Sequence, residues 1–381
     1  MELTQTEQQP AATARKRSKL KRSIIDCDIH HWTDIDLMKP YLSRQYRELI
    51  DTYGAALPGA MHFNGGVRGR MTDSFPPGGG PAASNLAHVQ TQHLDSHNVE
   101  YGILTGQYLA MQRTMNFDYA AALCTAANDY TIEHWLANDS RLKGSVFIPQ
   151  QEPFLSAKEI DRIGGRDDIV QVLATSGTMF PYGNRYYYPI YEACVRHNLP
   201  FTIHVGGEGI GINGPTTGAG YVTHYIEARA ARPQVMMAHL ASFIFEGVFE
   251  RFPTLKVVLQ EAGVFWLAPF LWRLDQDWKA LRVQTPWVKK KPSEYFRTNV
   301  RVTTQPIETT PNRETFDQMM DSIYAKETMI FCSDYPHWDF DSPLKALPVL
   351  NDELWDRVYY YNAAEIYNLP PRKAEREGKQ P

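Results

Sequence analysis

Four runs in the 381-residue sequence carry side chains able to hold a metal ion or move a proton: Asp26-Cys27-Asp28-Ile29-His30-His31, Ile203-His204, Ala238-His239 and Cys332-Ser333-Asp334-Tyr335-Pro336-His337. Each closes a stretch of β-branched and apolar residues, so each reads as the carboxyl end of a buried strand. Side chains two apart on a strand point the same way, which lets Asp28 and His30 share one ion. Carboxylate and imidazole together suit Zn²⁺, Mn²⁺ or another first-row divalent ion, with a position open to water or substrate. A lone strand-end Asp or His more often satisfies a local hydrogen bond, whereas four at corresponding places argue for one centre. Asp26, His31 and His337 read either as groups that orient ligands or as ordinary packing. His62, His88, His93, His97, His134, His197 and His224 lack strand-end placement and read as surface or packing residues, with His62 and His224 in loops able to reach a pocket.

The elements that must position these residues are strands at 23–29, 100–104, 143–148, 169–173, 201–205, 235–240, 255–260 and 329–333. Helices at 118–137, 155–163, 188–197, 223–231, 243–252, 265–279 and 313–323 fall between them with lengths suited to parallel crossovers. This alternation predicts an α/β protein, a (β/α)8 TIM barrel over 23–369, with a C-terminal helical extension. Two segments break the rhythm. Residues 32–98 follow strand one, include Pro76-Pro77-Gly78-Gly79-Gly80-Pro81, and are expected to overhang the catalytic mouth as a lid or pocket insertion. The second is 283–306. Residues 1–22 read as a disordered tail and 370–381 as a charged tail, and removal of residues 1–21 is expected to leave activity intact.

A formal net charge of −4 gives no electrostatic reason to expect nucleic acid or an anionic membrane, so a small molecule is the expected partner. Cys27, Cys124, Cys194 and Cys332 lie far apart without CxxC spacing, which fits a reducing, cytoplasmic setting. No signal-peptide pattern and no apolar span of about 18 residues is visible.

The sequence resembles the amidohydrolase-related branch of the amidohydrolase superfamily, which includes aminocarboxymuconate semialdehyde decarboxylase and the hydroxybenzoate decarboxylases. The resemblance runs from Ser23 to about Asn368. Its carriers are Ile25-Asp26-Cys27-Asp28-Ile29-His30, Phe201-Thr202-Ile203-His204, Met237-Ala238-His239-Leu240, Phe249-Glu250-Arg251-Phe252-Pro253-Thr254-Leu255-Lys256, Glu261-Ala262-Gly263 and Cys332-Ser333-Asp334-Tyr335-Pro336-His337. It implies that Asp28, His30, His204 and Asp334 bind one divalent metal, Zn or Mn with Mg as a further option, and that His239 stays free for acid, base or electrostatic work. Asp28 occupies a position that is often His in relatives, and its added negative charge favours Mn²⁺ or Mg²⁺. No strand-end lysine is placed to bridge two ions, so a mononuclear site is expected. Glu261, at the end of strand seven, is expected to support the site rather than catalyse. The resemblance also implies a homodimer or higher homo-oligomer.

Two reactions use the same apparatus. In a decarboxylase of a small aromatic or unsaturated carboxylic acid, Asp334 or His239 protonates the carbon that loses CO₂. In a hydrolase of a lactone, ester or amide, Asp334 takes a proton from metal-bound water and His239 steadies the oxyanion. The single-metal pattern and the aromatics Trp32, Phe63, Tyr186, Tyr187, Trp266 and Trp338 tilt the expectation toward decarboxylation, although aromatics also fill cores. Arg68 and Arg70 are candidates to clamp a substrate carboxylate or belong to a solvated loop. A barrel that binds without catalysing is the third alternative.

Overall fold

The computed structural model describes residues 20–55, 57, 69–106, 111 and 114–378. Eight parallel strands follow in chain order: β1 (Ile24–Ile29), β2 (Val99–Leu104), β3 (Leu142–Phe147), β4 (Ile169–Thr175), β5 (Phe201–His204), β6 (Val257–Gln260), β7 (Val300–Thr303) and β8 (Met329–Ile330). A parallel bridge from Ile29 to Tyr335 and the Cys27 N–H donated to the Phe331 carbonyl at 3.1 Å close the seam between β8 and β1. The result is a (β/α)8 barrel with no open edge at that seam.

Local sequence explains the crossovers. The helices Phe117–His134, Pro153–Ile163 and Arg313–Ser322 each begin beneath a side-chain cap, from Asn116, Glu152 and Asn312 respectively. Helix Tyr188–His197 ends at Asn198 in the left-handed conformation, which releases the chain into β5. Within the sheet, Ile25, Cys27, Ile103, Val258, Ile330 and Cys332 form one cluster that Tyr360, Ala363 and Tyr367 of the C-terminal extension pack against. The Tyr367 hydroxyl is not stranded there, because it donates to Gln171 Oε1 at 2.9 Å.

The structure departs from the expected elements in one region. Residues 235–240 are not a strand but the middle of the helix Tyr225–Phe245. Their apolar run imitates a buried strand, yet the buried set Met236, His239, Leu240, Phe243 and Ile244 repeats at three- and four-residue intervals, as one helix face does. The sixth strand is therefore Val257–Gln260, and the seventh, Val300–Thr303, lies in the 283–306 segment that breaks the sequence rhythm. Only four residues long and carrying Arg301, it gives almost no periodic signal.

Both expected tails are shorter than the sequence implies. Arg22 pairs with Asp356 and Asp352 at 3.0 and 2.9 Å and lies over the Trp355 ring. Arg372 is 1% exposed, pairs with Asp356 at 2.7 Å, and sits over the rings of Tyr360, Tyr361 and Trp355. A cation stacked among aromatics belongs to the packing, so the fold continues through the short helix Lys373–Arg376. Among the described residues, no helix is long and apolar enough to cross a membrane.

Candidate metal centre

Strand ends gather the expected ligands. His30 Nε2 stands 3.3 Å from Asp28 Oδ1 and 3.2 Å from Asp334 Oδ1, and His204 Nε2 lies 3.5 Å from Asp28 Oδ2. Glu261 joins from the residue after β6, its Oε2 3.6 Å from His204 Nε2. Asp28, His30, His204 and Glu261 can present one ligand atom each within 4.8 Å of one another, and His30, Glu261, Asp334 and His337 form a second, overlapping set. All but His337 are buried.

The hydrogen bonds show that these atoms suit a cation. His30 Nδ1 faces the Gly106 carbonyl at 2.5 Å and His204 Nδ1 faces the Val205 carbonyl at 2.8 Å. A carbonyl only accepts, so both Nδ1 atoms carry a proton and both Nε2 atoms are left to face a cation; burial favours the neutral rings, but Asp28 and Asp334 beside His30, and Glu261 and Asp28 beside His204, outweigh it and raise both pKa values. Those two Nε2 atoms stand 3.3 Å apart. Set among carboxylates at that distance, the pair calls for positive charge, either protons on the imidazoles or a divalent ion between the two Nε2 atoms. Asp28 Oδ1 accepts from the Thr105 hydroxyl at 2.6 Å, while Asp28 Oδ2 makes no hydrogen bond among the described residues. Burial, together with the crowding of carboxylates, pushes Asp334 up to about 6 and Glu261 up to about 8, although His30 and His204 pull the other way. A divalent ion would relieve that crowding.

Backbone strain marks the same place. Asp334 and Glu261 adopt φ of +56° and +62°, a left-handed region that a branched carboxylate side chain seldom enters. A brace behind the ligands holds β1 to the turn after β8. Asp26 Oδ1 accepts the Ser333 N–H at 2.9 Å, and Asp26 Oδ2 accepts the Ser333 hydroxyl at 2.5 Å and His93 Nε2–H at 2.8 Å. His93, read from sequence as a packing residue, comes from the 32–98 insertion and stacks on Tyr335.

The remaining sequence candidates divide. His337 lines the mouth, makes a short hydrogen bond to Asp334 and lies 4.3 Å from the His30 ring. His31 turns toward the helix Phe117–His134, with Nε2 2.9 Å from Thr131 Oγ1, and burial, then the neighbouring His30, draw its pKa down to about 3. Trp32 gives its N–H to the Ala83 carbonyl and does not line the cavity. Arg68 lies outside the described residues, whereas Arg70 lines the cavity and bridges to His337 across the mouth.

His239 requires a correction. Because residue 239 is helical rather than strand-terminal, the side chain is delivered elsewhere: Nδ1 accepts the Tyr182 N–H at 3.2 Å and Nε2 donates to the Ser176 carbonyl at 2.8 Å. Burial holds its pKa down at about 4, so it is a neutral clamp between helix and loop. It belongs to neither ligand set. The strand-six position at the mouth is filled by Glu261 instead.

The ligands open on a cavity of about 240 Å³, whose wall includes Tyr225, Arg229 and Arg232. Spaced four and three apart on the long helix, these three share one face. Splitting that helix into two elements hid them from sequence analysis. Arg229 pairs with Asp339 at 2.5 Å, and Gln305 Nε2 links Asp339 Oδ2 at 3.0 Å to Asp334 Oδ2 at 3.3 Å. Arg232 is held loosely, 3.3 Å from the Tyr225 hydroxyl and 4.0 Å from Glu261 Oε2.

Comparison with known proteins agrees with this architecture. The gamma-resorcylate decarboxylases of Polaromonas sp. strain JS666 and Rhodococcus jostii strain RHA1 are 25% and 24% identical to the chain, over 68% and 75% of its length and 80% and 88% of theirs. A dihydroxybenzoic acid decarboxylase from Polaromonas sp. JS666, solved with manganese and 2-nitroresorcinol, superposes with a TM-score of 0.63 at 18% identity, covering 92% of this chain and 98% of that one. A 5-carboxyvanillate decarboxylase from Novosphingobium aromaticivorans, complexed with manganese and 4-hydroxy-3-methoxy-5-nitrobenzoic acid, gives 0.66 at 18% identity, covering 94% and 100%. The family model described as Amidohydrolase matches residues 25–369. With the barrel, the strand-end ligands and that match across nearly the whole chain, the protein belongs to the amidohydrolase family.

Proposed function

We propose that this protein is a mononuclear metal-dependent decarboxylase of an aromatic carboxylic acid bearing a hydroxyl beside its carboxylate. The observation that carries the reading is the pair of facing Nε2 atoms among buried carboxylates, opening directly on an arginine-lined cavity. Two relatives that are gamma-resorcylate decarboxylases support the reaction, and manganese in two solved neighbours supports the metal.

An ion held by Asp28, His30, His204 and Asp334 would bind the substrate's oxygens and offset the negative charge that builds as CO₂ departs. Arg232, loosely tethered at the cavity wall, turns its guanidinium to the substrate carboxylate and orients it. Asp334, steadied by His337 and Gln305, gives its proton to the ring carbon as the bond to CO₂ breaks, and regains one from solvent. Glu261 takes the substrate hydroxyl proton and returns it. Cytoplasmic location and a homo-oligomeric state belong to the same reading, supported by four free cysteines and by exposed Trp272, Val283 and Trp287.

The test is a product assay on manganese-loaded protein with 2-hydroxybenzoate and 2,6-dihydroxybenzoate, measuring CO₂ and phenol together. Equimolar release of the two is expected. Acid released from a lactone or ester panel, with no CO₂ from any aromatic acid, would replace the decarboxylase with the hydrolase.

A further inference from the structure

Beside the polar cavity runs a larger groove of about 550 Å³. Tyr225, Arg229, Arg232, Glu261 and Trp338 line both, so the two are lobes of one space. Their chemistry differs sharply. Beyond the arginines the wall is formed by Ile226, Ala230 and Pro233 from one face of the helix Tyr225–Phe245, opposite Ala262, Pro306 and Ile307. Ile226 is 73% exposed and Trp338 is 47% exposed, a marked apolar display at a polar mouth.

Of the two carboxylates that line the groove, Glu261 sits at the waist beside the arginines and Glu308 is already engaged. Glu308 accepts the Val264 and Phe265 N–H groups, each at 2.9 Å. The turn that presents those groups needs Gly263: its φ is +76°, and a Cβ there would stand 2.4 Å from Glu308 Oε1. Glu308 thus closes a backbone turn, and the groove keeps an apolar lining.

From this continuity we infer that the substrate carries an apolar substituent, an alkyl or aryl group on the acid-bearing ring, and that this groove receives it. The inference rests on the proposed decarboxylase and extends it, because the 240 Å³ polar lobe alone is matched to a single substituted ring. The arginines at the waist then hold the charged head of an amphiphilic acid while its tail lies along Ile226, Ala230 and Ile307.

The experiment measures calorimetric Kd and CO₂ release for manganese-loaded protein with 2-hydroxybenzoates carrying hydrogen, ethyl, butyl or hexyl at ring position 4 or 5. Full burial of a methylene is worth roughly fourfold in affinity, and an open groove contacts a chain on one side, so about twofold per methylene is expected. Butyl should therefore bind about tenfold tighter than hydrogen in at least one series. Ala230→Trp, which fills the groove, and Ile226→Asp, which charges it, should each flatten that dependence. CO₂ from the unsubstituted acid with a Kd series that is flat or rises with chain length in wild type overturns the groove assignment and leaves the decarboxylase standing. A Kd series that falls with chain length, without CO₂ from any member, supports the groove and removes the reaction. A flat series, with self-association that Ile226→Asp abolishes, gives the groove to a second copy of the chain and overturns the inference.

Discussion

Two carboxylates at the mouth, Asp334 and Glu261, are held in left-handed backbone, a conformation that costs on the order of 1–3 kcal/mol per residue and persists where the surroundings enforce it. For Asp334 that enforcement includes His337 and Gln305. Asp334→Asn and His204→Ala should each lose the divalent ion, read as metal per chain by mass spectrometry after purification without an affinity tag. Full occupancy in both variants would dissolve the assigned centre. Glu261→Gln should retain the ion and lose at least roughly 10²-fold in turnover, as expected when a proton-transfer group is removed. His239→Leu separates structure from chemistry. It strands two buried backbone groups and should destabilise the fold by about 2–4 kcal/mol in urea titration, with kcat/KM within about threefold of wild type. Loss of turnover without loss of stability would return His239 to the mechanism. That Asp28, His30, His204 and Asp334 would lie together was legible in the sequence because strand ends in a barrel share one face. Glu261 was visible too, but its weight depended on counting strands correctly.

Elements explain which parts of the sequence could be read. The first five strands are continuous apolar runs between clear turns, and their expected positions agree with the structure to within about two residues. The error at 235–240 arose because a short apolar run carries no period of its own, and the length of the surrounding helix decides the matter. From that single misassignment followed the displaced strand numbers, the misplaced His239 and the unseen arginine face. The same scale governs the brace. Asp26→Asn weakens the tie between β1 and the turn after β8, the two segments that carry Asp28 and Asp334. Metal Kd should rise by about 10- to 100-fold, the usual consequence of disturbing groups that orient ligands. An unchanged Kd by competition with a fluorescent chelator would show that the seam holds without it. At the C-terminus, solvated charges were expected from composition alone, which carries no information about the aromatic cage around Arg372.

At the scale of the whole molecule, the proposed ligands come from β1, β5 and the segment after β8 and converge on one point, so on this reading ion binding and barrel integrity are linked. Manganese at about 1,000 times its Kd should stabilise the folded chain by about 4 kcal/mol through mass action alone. The gain should vanish in Asp28→Asn/Asp334→Asn, and an equal gain in that double variant would place the ion elsewhere. The barrel seam also has a consequence in time. Asp28 sits on the first strand and Asp334 just past the last, more than three hundred residues later. A ribosome therefore delivers Asp28 more than three hundred residues before Asp334. A nascent chain halted before residue 334 has no complete pocket to load, so metal incorporation can serve as a mark that translation has passed the last strand.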